Sequence, residues 1–154
     1  MPTQSTAADA EVIMKLYDLR REAEMRKARN WWLMTFWPQS VDDFTKIANA
    51  MGTQENNWLR QVSGYWEMAA SMVVHGAVNA DMFLEPSFSG EMYFILAKVR
   101  PFLDELREKV GSPSMLRNVE KVATLTEASR ERLKQFEGRV AARRKAMAET
   151  AKAS

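Results

Sequence analysis

The apolar positions of this chain recur at three and four residues almost from end to end. No Val/Ile-rich alternating run bounded by turn residues interrupts that rhythm, so the pattern predicts helices and no strands. Asp9 is placed to cap a first helix whose apolar line is Val12, Leu16, Leu19 and Ala23, widened by Ile13 and Tyr17. Pro38 disfavours helical geometry at Trp37, so this helix is expected to run on to Phe36. Ser40, with Asp42 and Asp43 behind it, opens a short second helix that ends near Met51 and Gly52. Thr53 begins a third along Trp58, Val62, Tyr65/Trp66, Ala69 and Met72/Val73, closed at His75 and Gly76. Asn79 then caps a single turn. Ser89 caps a fourth helix through Met92, Leu96, Val99, Leu103, Leu106 and Val110, ended by Gly111 and kinked at Pro101.

From Ser114 the chain reads as one long helix. Val119, Val122, Thr126, Ser129, Leu133, Phe136, Val140, Arg143 and Met147 fall on a heptad seam, polar or charged at Thr126, Ser129 and Arg143. The expected architecture is all-α: one domain over residues 1–154, a bundle of about five helices with a kinked fourth and a long C-terminal helix. Residues 1–8 and about 148–154 carry too little apolar surface to dock and are expected to fray.

Composition narrows the function classes. With 154 residues the chain is long enough for a core without disulfides, and eleven Met and five Trp make that core Met- and aromatic-rich. No Cys occurs, which removes thiolate nucleophiles, zinc knuckles and cysteine-held clusters. The longest nearly uncharged apolar stretch, "MAASMVVHGAV" (68–78), is far short of the roughly 20 residues that span a bilayer. With no leader pattern at the N-terminus, the expected address is cytoplasmic. Net charge is +2 but uneven: residues 1–116 hold 12 Lys/Arg against 15 Asp/Glu, residues 117–154 hold 10 against 5. The basic tail, with Arg139, Arg143 and Arg144, permits phosphate contact, but no aromatic residue interleaves it for base stacking.

Two constellations carry the candidate chemistry. The run "NWWLMTFWPQ" (30–39) advances its aromatic residues around the helix instead of along one face. That distribution fits core or a subunit contact through Trp32 and Trp37, against a pocket wall or a membrane-surface helix, which needs a polar face opposite. The third helix carries Tyr65, Trp66, Glu67, Ser71 and His75, the last being the only histidine. Glu67, Ser71 and His75 share one stripe, but a triad needs the histidine between nucleophile and acid, and the order here is wrong. His75 reads as a group that completes a helix C-terminus. Glu67 reads as the partner of Arg60 or Ser63, with a raised-pKa acid as the alternative. One histidine cannot supply a di-iron bundle site, and no phosphate-binding glycine pattern or cofactor motif is present.

The segments "WLRQVSGYWEMAA" (58–70), "HGAVNADMF" (75–83) and "VRPFLDELRE" (99–108) resemble a family of small bacterial helical proteins of unknown function. Members resemble one another in an aromatic-Glu pair, a Gly-ended turn about ten residues later, and a Pro-containing helix that ends Arg-rich. The resemblance implies that Trp66, Glu67, Gly76 and Pro101 define the fold, and it implies no catalytic residue or cofactor. Members often begin with a transmembrane segment, which this sequence lacks.

The expected role is therefore a non-enzymatic scaffold or interaction module, self-associating through Trp32, Trp37, Leu133 and Phe136. The alternative is a small-molecule-binding protein or enzyme with a Met- and aromatic-lined pocket, anchored by Tyr65, Trp66, Glu67, His75 and Tyr93.

Overall fold

The computed structural model describes residues 4–154, and residues 1–3, part of the expected N-terminal fray, lie outside it. Among the described residues there are nine α-helices and no strand: α1 (Ala7–Leu19), α2 (Ala23–Asn30), α3 (Val41–Ala48), α4 (Gln54–Val74), α5 (Ala80–Phe83), α6 (Pro86–Val99), α7 (Leu103–Val110), α8 (Arg117–Ala123) and α9 (Glu127–Ala153). A π-helical turn, Trp31–Thr35, follows α2, and a 3-10 turn, Arg100–Phe102, joins α6 to α7. α4 is the central element, packed on α2, α3 and α8, while α6 packs on α8 and α9.

Apart from the single turn α5, the expected five helices become eight because three of them are broken, each for a different reason. The first breaks after Leu19. Arg20 turns inward, 7% exposed, donates to the Phe88 carbonyl at 3.1 Å and lies 4.5 Å from the Tyr17 ring centroid. Glu22 restarts the chain by accepting from the Met25 amide. No Gly or Pro marks this break; a tertiary contact imposes it. The fourth helix breaks at Pro101, which lacks an amide hydrogen, into a 3-10 turn and not a kink. It also starts earlier than expected, with Pro86 in its first turn, and Ser89 is a buried interior residue that donates to the Glu85 carbonyl. The C-terminal helix breaks at residues 124–126, where Thr126 and Ser129 form a reciprocal capping box. These two were expected as seam positions. Thr6, not Asp9, caps α1, and Asp9 completes its capping box.

The middle of the chain follows its pattern closely. Thr53 caps α4 through the Asn56 amide, and Gly76 closes it at φ +78°, a conformation open to glycine at no steric cost. Leu59, Val62, Trp66, Ala69 and Val73 form its buried face. Trp66 and Trp32, both 0% exposed, are the two largest enclosed side chains, and around Trp66 stand Tyr65, Phe83 and Phe88. Truncation of either indole is expected to cost about 3–5 kcal/mol.

The long C-terminal helix lies against α6 through Leu133, Phe136 and Val140. It is helical through Ala153, although every residue from 145 onward is exposed, including those expected to fray.

Candidate interaction site around the C-terminal helix

The aromatic run is built around a turn that carries an extra residue. The Phe36 amide donates to the Trp31 carbonyl five residues back, at 2.9 Å, and the two rings stack at 4.5 Å. Trp31 also lies 6.0 Å from Trp32 and 6.2 Å from Trp58, so the run closes on itself and on α4. Trp32 is completely enclosed, and so is Leu133 at 1% exposure; the expectation that these two meet a partner gives way to a core role.

A helix that stops leaves its last carbonyls without amide partners, and Pro38 prevents this one from continuing. Lys98 of α6 supplies the missing donors. It is 0% exposed, and its Nζ donates to the carbonyls of Trp32 and of Phe36, the latter at 2.7 Å. The same ammonium lies 3.8 Å from the Trp37 ring centroid and 4.7 Å from that of Phe94. Two carbonyls and two ring faces hold the charge, while burial, reinforced by Arg144, pushes the amine down to about 7. From α9, Arg144 donates to the Pro38 carbonyl at 2.5 Å and to the Lys98 carbonyl at 2.9 Å. Burial lowers its own pKa as well. Arg144 thus straps the C-terminal helix to α6 and to the chain just after the π turn.

Directly outside that point lies a pit of about 330 Å³ lined by Leu33, Met34, Trp37, Phe94, Arg139 and Arg143. Its floor and walls are apolar, and its rim carries two guanidinium groups. Arg139 lies 5.0 Å from the Phe136 ring centroid, and among the described residues neither it nor Arg143 has an ion-pair partner. Met34 is 66% exposed at the edge. Trp37, Arg139 and Arg143, three positions singled out in the sequence, come together here. Phe136 is placed one step inward, stacked 5.7 Å from the Tyr93 ring under Arg132.

The five side chains proposed as a ligand pocket are engaged separately. Tyr65 donates its hydroxyl to the Leu16 carbonyl, and burial pushes its pKa up to about 12. Trp66 donates from Nε1 to Glu91 at 2.8 Å, where Arg29 also donates at 2.7 Å, a partly buried ion pair that ties α2, α4 and α6. Glu67 meets neither Arg60 nor Ser63; Ser63 donates to the Leu59 carbonyl instead. The carboxylate accepts from the amides of Asn118 and Val119 at 2.8 and 3.0 Å and so caps α8 from another helix. That cap is needed because Leu116, at the N-cap position, sits at φ +52° and offers no side-chain acceptor. His75 donates from Nδ1 to the Ser71 carbonyl at 2.8 Å, at the end of α4, and Ser71 donates to Met68 and not toward the ring. Tyr93 is buried between α6 and α9, and burial raises its pKa.

Sequence reasoning missed Lys98, Glu91 and Arg20. Lys98 and Arg20 are enclosed charged residues, and for Lys98 the apolar run around it was the available signal. Among the described residues no group of three or more His, Asp or Glu stands close enough to hold a metal ion, and no helix is long and apolar enough to cross a membrane.

The chain belongs to the family described as Domain of unknown function (DUF4760), whose model matches residues 5–126. No curated protein matches the chain. No solved structure matches it either. The matched residues end at Thr126, the N-cap of α9, so the helix that carries Arg139, Arg143 and Arg144 lies outside them.

Proposed function

We propose that this member of the DUF4760 family is a non-enzymatic, self-associating interaction module whose contact face is the outer side of α9 with the pit beside it. The observation that carries the reading is the pairing of an apolar, Met- and Trp-lined depression with two exposed arginines that no acid among the described residues pairs with. Aromatic residues, Met and Arg are the residue types enriched where proteins meet, and few of them together dominate binding energy. α9 also continues well past Val140, its last buried residue, and is exposed throughout from residue 145. An exposed helix of this kind leaves its faces open to a partner.

A small molecule in the same pit is the rival reading; Tyr65, Trp66, Glu67, His75 and Tyr93, the anchors expected for a ligand pocket, do not line it, and its volume lies at the small end for ligand sites. Native mass spectrometry on untagged protein separates the two. A dimer or higher mass without adduct, with hydrogen-exchange protection of residues 139–153 that rises with protein concentration, is the expected result. A monomer at every concentration overturns the proposal, and a monomer with a reproducible extra mass replaces it with the pocket.

A further inference from the structure

The pit asks for an apolar side chain with negative charge on both sides of it, because Arg139 and Arg143 stand one helical turn apart on its rim. Ten large apolar side chains are exposed among the described residues: Met14, Tyr17, Leu19, Met34, Met51, Met68, Val74, Val110, Leu125 and Met147. Only Met14 has carboxylates on both neighbouring turns. Glu11 and Asp18 are three residues before it and four after, which places acid, apolar residue and acid on one face of α1. Met14 is 66% exposed, and Glu11 and Asp18 are exposed and make no ion pair among the described residues. Lys15, on the flank of the stripe, is the only cation of α1.

We infer that the pit is filled by Met14 of a second copy of this chain, with Glu11 and Asp18 of that copy reaching Arg139 and Arg143. The inference rests on the self-association proposed above and names its contact. Charge complementarity selects the occupant. The arginine-rimmed pit repels the basic α9 of another copy and accepts the acidic stripe of α1, whereas Met14 gives the contact its apolar anchor. Met suits such a seat because its unbranched thioether adapts to an irregular apolar wall and packs well against aromatic rings. Donor and acceptor surfaces differ, so the contact is heterologous. It closes as a dimer where a two-fold axis lets each copy insert its α1 into the other, and as a larger ring otherwise.

Sedimentation velocity of the full chain over a range of concentrations tests it. All the substituted side chains are exposed, and circular dichroism checks that each variant keeps its helix content. Arg139→Glu with Arg143→Glu is expected to weaken association about tenfold or more, as is Glu11→Arg with Asp18→Arg, because each places like charges together. Combining all four substitutions is expected to restore it, since the charges are then exchanged and again opposite. Met14→Asp weakens association, Lys15→Glu strengthens it, and added salt lowers all affinities through the rim charges. A wild-type chain that stays monomeric overturns both this contact and the self-association on which it rests. Association that survives both charge reversals, or that the four-fold exchange fails to restore, overturns the contact alone and leaves self-association standing.

Discussion

Arg143 and Arg144 are neighbours in sequence, carry the same side chain and sit on the same basic helix, yet they are put to opposite uses. Arg144 is turned inward, where it donates to two backbone carbonyls beside a buried lysine. Arg143 is turned outward on the rim of the pit. One residue of helical rotation, about 100°, separates a cation that completes the fold from one left on the surface. The comparison teaches that the charge run in the tail is not one feature. Composition reports how basic the segment is, and only the facing of each residue reports what the charge is for.

The largest test of that contrast is Lys98→Ala. It leaves two buried carbonyls without a donor and opens a cavity, and urea denaturation is expected to register a loss of about 3–5 kcal/mol. Arg144→Ala is expected to cost about 2 kcal/mol through its two charge-assisted hydrogen bonds, whereas Arg143→Ala should stay within about 0.5 kcal/mol. Equal losses for the two arginines would erase the distinction. The pH dependence sharpens it further. Burial holds the folded Lys98 at about 7, well below its ordinary 10.5, so between these values the unfolded chain binds more protons. Stability is then expected to rise with pH from roughly 7 to 10, with the full penalty present below 7. Lys98→Met, which cannot titrate, should flatten that part of the curve relative to the wild type. A smaller loss than that of Arg144→Ala is expected from Glu67→Ala, about 1 kcal/mol for the lost cap of α8, with hydrogen exchange at Asn118 and Val119 rising first.

Where local signals and long-range contacts agree, the sequence is sufficient. α4 was legible because Thr53, the apolar line and Gly76 all act within one segment. The chain between Leu19 and Glu22 was not, since good helix formers cover a break that a distant carbonyl, that of Phe88, imposes through Arg20. The restart at Thr126 was written in its capping box, but the heptad reading absorbed those residues. At the candidate site, the sequence pointed to Trp37, Arg139 and Arg143 one by one, but their convergence with Met34 and Phe94 depends on a π turn and a strap that no spacing rule reveals. Lys98 stood in a run of apolar residues, "FILAKV", where a lysine is out of place unless something receives its charge.

The closeness of the indoles in the aromatic corner has an optical consequence. Trp31 lies 6.0 Å from Trp32, nearly perpendicular to it, and 6.2 Å from Trp58 at a 47° tilt. Transition dipoles this near and this inclined couple as excitons, and their signed doublet in the far-ultraviolet circular dichroism is superimposed on the helical bands. Loss of the doublet reports the opening of the corner that Lys98 and Arg144 hold shut, independently of whether the helices around it have melted.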